Sequence, residues 1–148
     1  MTCDGQGEVR CPASRTLVLY DGVCGLCNRF VNFLLRRDRR DQFRFAPLQG
    51  GFAREILRRH GRDTGELDTV IVLPDVGQAD ERVLVRSEAM LWAVSRLGGI
   101  WRPIAIAGVL PRSLRDWVYA DLARRRYGIF GKYPSCPIPA AKDRHKFL

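Results

Sequence analysis

The sequence predicts an α/β protein with a small mixed β-sheet and an α-helical extension. Short apolar runs alternate with amphipathic helical patterns over residues 16–99, in the order β-α-β-α-β-β-α. The last two short runs are separated by turn-forming residues, which is typical of an antiparallel hairpin. Helical patterns continue from residue 100 to Arg126, whereas Tyr127–Leu148 is rich in Pro, Gly and Lys and is expected to be irregular. Helices between the strands and a hairpin after them predict one mixed sheet with helices on its faces.

The first strand and the first helix meet at a pair of cysteines. Leu17–Tyr20 is a short apolar run, which predicts a buried strand, and Asp21–Gly22 ends it with a turn. A helix is predicted over Cys24–Arg37, because apolar residues recur on one face at Leu26, Phe30, Phe33 and Leu34. Cys24 and Cys27 lie three residues apart in its first turn, so their sulfur atoms can meet. The unpaired N–H groups and the dipole of the helix N-terminus favour a thiolate there.

The second strand and the second helix follow a charged connector. Phe43–Ala46 alternates in polarity, which predicts a strand, and Pro47 ends its ladder of hydrogen bonds. Gly61 is expected to stop the next helix in the C′ position. The expected buried face of that helix consists of Ala53, Ile56, Leu57 and His60.

A hairpin and a third helix complete the predicted sheet. Val70–Leu73 is apolar and β-branched, which fits a central strand, and Arg82–Arg86 is its expected antiparallel partner. Ser87 is the expected N-cap of a helix that ends at Gly98–Gly99. The buried face expected for this helix consists of Ala89, Met90, Ala93, Val94 and Leu97. Two parallel strands joined by a crossover helix and followed by a hairpin form the skeleton of the thioredoxin-like fold.

We expect residues 100–139 to form a helical extension packed on this core. Ile100–Leu110 is apolar but shorter than the ~20 residues that span a bilayer, which favours a buried or packing helix over a membrane anchor. Pro111 suits the first position of a further helix that reaches Arg126. The apolar face expected for this helix consists of Leu114, Trp117, Val118 and Leu122. The predicted organisation is a flexible leader (residues 1–15), a core (16–99), the extension (100–139) and a tail (140–148).

Composition and charge narrow the classes of function. No apolar run reaches the ~20 residues of a membrane span, and residues 1–14 lack the apolar segment of a secretory signal. We therefore expect a cytoplasmic protein without a membrane span, in a compartment where C-x-x-C favours redox or metal chemistry. The net charge of +9 suggests an RNA or an anionic surface as an alternative partner. The arginines are spread over several helices, where they suit helix C-termini, so no nucleic-acid partner is expected.

Four stretches form a pattern that extends over most of the chain, from Leu17 to Pro139. They are Tyr20-Asp21-Gly22-x-Cys24-x-x-Cys27, Ser87-Glu88-Ala89, Trp117-Val118-Tyr119-x-x-x-Ala123-Arg124-x-Arg126-Tyr127 and Cys136-Pro137. In these motifs the chain resembles the DCC-type thiol-disulfide oxidoreductases, long carried as a domain of unknown function. The resemblance implies a thioredoxin-like fold and dithiol–disulfide exchange. The expected partners are a protein or small-molecule thiol substrate and an electron donor, with no bound cofactor.

The two cysteines and the preceding aspartate are the candidate catalytic residues. Cys24, at the exposed N-terminal position of the motif, is the expected nucleophile that attacks a substrate disulfide as a thiolate. Cys27, one turn deeper, is expected to resolve the mixed disulfide. Asp21 has two open interpretations: it accepts a proton from Cys27 during resolution, or it holds the loop as a turn residue.

Other candidates come from the more distant motifs. Arg124, Arg126 and Tyr127 either fold back to stabilise the thiolate or bind an anionic substrate, or they only complement a helix C-terminus. Tyr20 is expected in the core or at the rim of the site. Cys136 is either a third redox cysteine or a buried apolar residue.

The strand that faces the dithiol departs from the wider thioredoxin superfamily. Those proteins usually carry a cis-proline at the start of this strand. Here the strand begins Leu67-Asp68-Thr69-Val70, so Asp68 or Thr69 is expected beside the dithiol instead.

A metal-binding module is an alternative function from another class. Cys24, Cys27 and Cys136, with His60, offer ligands for zinc or copper. Strong zinc frameworks usually have a second close pair of ligands, and this chain has one. We therefore expect no metal at the site.

Overall fold

The computed structural model describes residues 15–62, 70–79, 81–134 and 140–148. The strands in these ranges are β1 (Thr16–Tyr20), β2 (Phe43–Pro47), β3 (Ile71–Leu73) and β4 (Leu84–Val85). The α-helices are α1 (Gly25–Arg37), α2 (Gly51–Arg59), α3 (Arg86–Arg96) and α4 (Arg112–Phe130). Two 3-10 helices occupy Gly99–Val109 and Ala141–Lys146.

The strands form one mixed sheet in the order β2-β1-β3-β4. β1 runs parallel to β2, with Val18 opposite Phe45, and antiparallel to β3, with Val18 opposite Val72. β3 and β4 pair as an antiparallel hairpin. The α/β class and the thioredoxin-like order predicted from the sequence are therefore confirmed.

Helices cover both faces of this sheet, which explains why β1 is buried along its whole length. Alternate side chains of a strand point to opposite faces. Val18 and Tyr20 belong to an apolar cluster with α1 and α3, whereas Leu17 and Leu19 belong to a second cluster with α2. The dithiol lies in the first of these clusters, at the end of β1 that leads into α1.

Several element boundaries differ from the sequence-based predictions. β4 is only two residues long, and α3 begins at Arg86 with Val85 as its N-cap residue. The prediction that Ser87 caps α3 is wrong, because the Ser87 hydroxyl donates a hydrogen bond of 2.8 Å to Asp116 in α4 instead. α4 continues to Phe130 rather than ending at Arg126.

Residues 100–122 pack on the core, where Trp101 lies edge-on to Phe33 with ring centroids 5.0 Å apart, but they bury less apolar surface than predicted. The segment expected to be a buried or packing helix is the 3-10 helix Gly99–Val109, in which Ile100, Ile106 and Val109 are 81%, 67% and 83% exposed. The predicted apolar face of α4 faces solvent at Leu114, Trp117 and Val118. The face that meets α1 and the dithiol contains Tyr119, Leu122, Ala123 and Arg126. The buried face includes the charged Arg126, so a search for a purely apolar face of α4 selected a different side of the helix.

The C-terminal residues pack along the free edge of β2. Phe147 forms a parallel bridge with Phe45, and the Leu148 N–H donates a 2.9 Å hydrogen bond to the Phe45 carbonyl oxygen. Lys146 Nζ lies 3.1 Å from Asp38 Oδ2 and 3.2 Å from Asp41 Oδ1. The sequence suggested only an irregular tail here.

Some predictions lie outside the described residues. These are the leader up to residue 14, Asp68, Thr69 and Cys136. Among the helices that are described, none has the length and apolar character needed to cross a bilayer.

Candidate active site

The loop between β1 and α1 carries the two cysteines. Cys24 is the N-cap residue of α1 in an extended conformation (φ −82°, ψ 121°), and Cys27 lies in the first turn. The Asn28 side-chain amide donates hydrogen bonds to the carbonyl oxygens of Gly22 (2.7 Å) and Cys24 (2.9 Å), which closes the loop onto the helix. Both cysteines are free thiols.

Cys24 is fully buried, contrary to the expectation of an exposed nucleophile. The backbone of the dithiol loop pairs with Phe130–Tyr133, at the end of α4, which we call the C-terminal strap. The Gly25 N–H donates to the Gly131 carbonyl oxygen (3.1 Å), and the Tyr133 N–H donates to the Val23 carbonyl oxygen (2.8 Å). Cys24 itself forms an antiparallel bridge with Lys132. The strap therefore behaves as a short extra strand laid across the dithiol loop.

Gly25 between the cysteines is required by this contact. A β-carbon at this position would overlap the carbonyl oxygen of Phe130, so only glycine allows the strap to approach the loop. No local pattern indicates this role, because the partner lies about a hundred residues away in the chain. Only the three-dimensional packing of α4 brings the two segments together.

The pKa values of the two thiols are shifted in opposite directions. The hydrogen bond from the Cys27 thiol lowers the pKa of Cys24 to about 6, with help from backbone N–H groups and the charge of Arg126, and against the effect of burial. The same hydrogen bond raises the pKa of Cys27 well above its ordinary value, with burial and the charge of Cys24 acting in the same direction. At neutral pH the pair therefore consists of a Cys24 thiolate and a Cys27 thiol.

Arg126 reaches the site from the last turns of α4 and is 4% exposed. Its Nη2 atom donates a 3.0 Å hydrogen bond to the Tyr127 hydroxyl, which in turn donates a 3.0 Å bond to Asp21 Oδ2. Arg126 Nη2 also lies 3.9 Å from Asp21 Oδ2. Arg124, in contrast, faces solvent and lies 3.6 Å from Asp121. The structure thus brings two residues of the predicted cluster to the dithiol and leaves the third outside.

Asp21 is surrounded by donors that fix the loop. Its Oδ1 atom accepts hydrogen bonds from the Val23 N–H (3.1 Å) and from the Gln49 side-chain amide (2.8 Å). The Gln49 side-chain oxygen accepts from the Gly22 N–H (3.2 Å). Together with the bond from Tyr127, these contacts favour the interpretation of Asp21 as the residue that holds the loop.

Gln49 was missed by the sequence analysis, although its position contained a usable signal. It follows β2, which runs parallel to β1, and Asp21 follows β1. Because the carboxyl ends of parallel strands meet at one edge of a sheet, polar residues after both strands are placed side by side.

The space beside Cys27 is small and mostly apolar. A cavity of about 10 Å³ lies there, with Cys27, Phe30, Met90 and Arg126 among its lining residues. Such a volume holds about one water molecule. A substrate disulfide therefore does not fit into the cavity beside Cys27.

Comparison with known proteins identifies the family. A model of the DCC1-like thiol-disulfide oxidoreductase family matches residues 18–132, which include the dithiol, α4 and most of the strap. The chain belongs to this family. The uncharacterized protein YuxK of Bacillus subtilis (strain 168) is 33% identical over 132 residues, which cover 89% of this chain and 93% of YuxK. A chloroplastic DCC family protein of Arabidopsis thaliana is 31% identical over 125 residues, which cover 84% of this chain and 70% of that protein. No solved structure matches the chain significantly.

Membership of the DCC1-like family supports a thiol-disulfide redox role in general.

Within the described residues, no group of three His, Cys, Asp or Glu side chains is placed to hold a metal ion. His60, considered as a metal ligand from the sequence, has its Nε2 atom 2.9 Å from Glu81. Tyr20, expected in the core or at the rim of the site, is buried in the core with its ring edge-on to Phe147.

Proposed function

We propose that this DCC1-like protein is a thiol-disulfide oxidoreductase that exchanges its Cys24–Cys27 dithiol with the disulfide of a protein or small-molecule substrate. The observation that carries the proposal is the pairing of a Cys24 thiol of lowered pKa with a hydrogen-bonded Cys27 thiol of raised pKa. A nucleophilic thiolate next to a protonated resolving thiol is the arrangement that disulfide exchange requires.

The reaction proceeds in two exchanges. The Cys24 thiolate attacks one sulfur of the substrate disulfide, forms a mixed disulfide and expels the other sulfur as a thiolate, which takes a proton from solvent. Cys27 then loses its proton and attacks the Cys24 sulfur. The Cys24–Cys27 disulfide forms, and the second substrate sulfur leaves and takes up a proton. Two electrons pass from the dithiol to the substrate, and the reverse sequence oxidises a substrate dithiol.

The mixed disulfide itself activates Cys27. Its pKa is raised mainly by the hydrogen bond to Cys24, then by burial and by the charge of Cys24. Once Cys24 is in a disulfide, that charge and the strong acceptor are gone, while the nearby charge of Arg126 still lowers the pKa of Cys27. Resolution is therefore suppressed before substrate attack and favoured after it.

Substrate attack also requires the C-terminal strap to move. The Cys24 side chain is covered, and the incoming sulfur must approach it directly. The strap is held to the loop mainly by two backbone hydrogen bonds, from Gly25 and Tyr133. Opening the strap therefore requires much less free energy than unfolding the whole protein. The electron donor is a partner thiol, and we propose a cytoplasmic location because a reducing compartment restores the dithiol.

Single-turnover exchange with oxidised glutathione tests the proposal. The reduced protein is mixed with the disulfide, quenched with acid and mapped by mass spectrometry. The wild type is expected to accumulate the Cys24–Cys27 disulfide, Cys24→Ser to form no adduct at the motif, and Cys27→Ser to stop at a glutathione adduct on Cys24. Cys11→Ser, a control outside the motif, should behave as the wild type. Exchange at wild-type rate in Cys24→Ser would overturn the assignment.

A further inference from the structure

The 3-10 helix Gly99–Val109 presents a row of apolar side chains to solvent. Because a 3-10 helix has about three residues per turn, every third side chain lies in line along one edge. Ile100, Pro103, Ile106 and Val109 have this spacing, and all four are exposed. We call these four residues the apolar ridge, which extends over about 18 Å.

The exposed apolar surface continues in the chain beyond this helix. Leu114, Trp117 and Val118 have the spacing i, i+3, i+4, so they share one face of α4, and they are 46%, 64% and 53% exposed. Single exposed apolar residues are ordinary on a protein surface, whereas several large ones on one face of a helix mark an interaction site.

The stretch of chain that carries the apolar ridge has charges of one sign only. Between Glu88 and Asp116 the sequence contains four arginines and no acidic residue. At the far end of this stretch, Arg112 is 70% exposed. Its contacts with acidic groups are long, at 3.4 Å to Glu88 and 3.8 Å to Asp116. An apolar row whose own stretch of chain carries only arginines as charges, followed by a helix with an exposed Trp, is typical of segments that lie in a membrane interface.

We propose that the apolar ridge and the Leu114–Val118 face of α4 dock on the surface of an anionic lipid membrane. The apolar side chains enter the boundary between headgroups and acyl chains, and the arginines lie at the level of the phosphates. The net charge of +9 adds a long-range attraction to a negative membrane. Docking of this kind needs no membrane-spanning helix.

A second copy of the chain fits this surface less well. A two-fold interface places the same patch on both subunits, so the arginines of one copy would face those of the other. Like charges brought together in this way oppose association. An anionic lipid surface, in contrast, complements both the apolar row and its charges.

Vesicle flotation tests the proposal. The full chain is mixed with vesicles of equal parts phosphatidylglycerol and phosphatidylcholine, or with phosphatidylcholine alone. We expect the wild type to float with the anionic vesicles, to bind the zwitterionic ones much more weakly, and to be released as salt is raised. Tryptophan emission should shift to the blue on binding, and the shift should shrink in Trp117→Phe.

A matched pair of variants separates the apolar ridge from general charge effects. Ile106 and Ile129 are 67% and 62% exposed, and only Ile106 belongs to the ridge. Ile106→Asp should weaken binding to anionic vesicles by about tenfold or more, because it replaces an inserted apolar side chain with a carboxylate. Ile129→Asp carries the same change of charge and should weaken binding by less than about twofold. Circular dichroism checks that both variants fold.

Three results would overturn the proposal. The first is a wild-type protein that does not float with the anionic vesicles. The second is an equal loss of binding in Ile106→Asp and Ile129→Asp, which would indicate net charge alone. The third is a wild-type dimer that ignores vesicles and that Ile106→Asp dissociates in analytical ultracentrifugation, which would make the apolar ridge an interface between copies.

Discussion

At the scale of single residues, the reactivity of Cys24 depends on a balance of opposing effects. Burial alone would raise the pKa of this thiol, as it does for Cys27. The hydrogen bond from Cys27, the N–H groups of the first turn of α1 and the charge of Arg126 together outweigh burial and lower the pKa of Cys24 to about 6. Most of these groups are local to the C-x-x-C motif, which explains why the sequence already indicated a thiolate.

The charge of Arg126 contributes to the lowered pKa of Cys24, and a substitution can remove it without changing the C-x-x-C motif. Arg126→Leu is expected to raise the pKa of Cys24 toward the ordinary thiol value, because a nearby positive charge is lost. Thiolate absorbance at 240 nm as a function of pH, with Cys24→Ser as the blank, measures this change. Arg124→Leu removes an equal charge from a side chain that faces solvent, so it should leave the titration unchanged. Equal shifts in the two variants would contradict a specific role for Arg126.

The lowered pKa also determines how stability responds to pH. The folded protein binds the Cys24 proton more weakly than the unfolded chain, so this group contributes stability above the ordinary thiol pKa. That contribution is lost as the pH falls toward 6, the pKa in the folded state. The reduced protein should therefore lose stability between pH 8 and pH 6 relative to Cys24→Ser, by about 1–3 kcal/mol. Urea unfolding at a series of pH values under reducing conditions measures the difference.

At the scale of elements, local patterns predicted the strands and helices that form the core. β1, α1, β2 and α2 were predicted from periodicity and turn residues, because each buries one face against the sheet. The C-terminal strap and its contact with Gly25 could not be predicted in this way, since they depend on the path of α4. The 3-10 helix Gly99–Val109 exposes more apolar surface than predicted, because apolar composition alone does not specify what covers a segment.

The strap can be displaced by a single methyl group. In Gly25→Ala the new β-carbon overlaps the Phe130 carbonyl oxygen, so the strap must move away and uncover Cys24. Alkylation of Cys24 by iodoacetamide is expected to become at least about tenfold faster, because a closed state no longer protects the thiol. Gly51→Ala is the control: nothing lies within 4 Å of its new β-carbon at the start of α2, so alkylation should not change. Equal alkylation rates in the wild type and Gly25→Ala would show that the strap does not limit access.

At the scale of the whole molecule, two segments of the C-terminal region, the strap and the residues around Lys146, contact the core. The strap crosses the dithiol loop, and Lys146 is anchored beside the connection between α1 and β2. Burial opposes the charge of Lys146, but the hydrogen bonds and charges of Asp38 and Asp41 outweigh it and raise the pKa of the lysine. Asp38 also accepts hydrogen bonds from the N–H groups of Gln42 (3.0 Å) and Phe43 (3.2 Å), so the tail stabilises the start of β2.

The anchor at Lys146 should contribute measurably to global stability. Lys146→Gln is expected to lower the free energy of unfolding by about 1–3 kcal/mol, because it leaves the buried Asp38 carboxylate without its cation. Lys142→Gln, an exposed position in the same 3-10 helix, should change it by less than about 0.5 kcal/mol. Urea unfolding curves with equal slopes measure both changes. Equal effects at the two positions would contradict the anchoring role.

The measurement that tests the central claim most directly is a redox titration of the pair. The protein is equilibrated in buffers of defined glutathione ratio, quenched with acid, alkylated and mapped by mass spectrometry. The account predicts one reversible two-electron transition, in which Cys24 and Cys27 convert together between dithiol and a disulfide with each other. A pair that stays reduced over the whole range, or a stable bridge from either residue to Cys136, would contradict it.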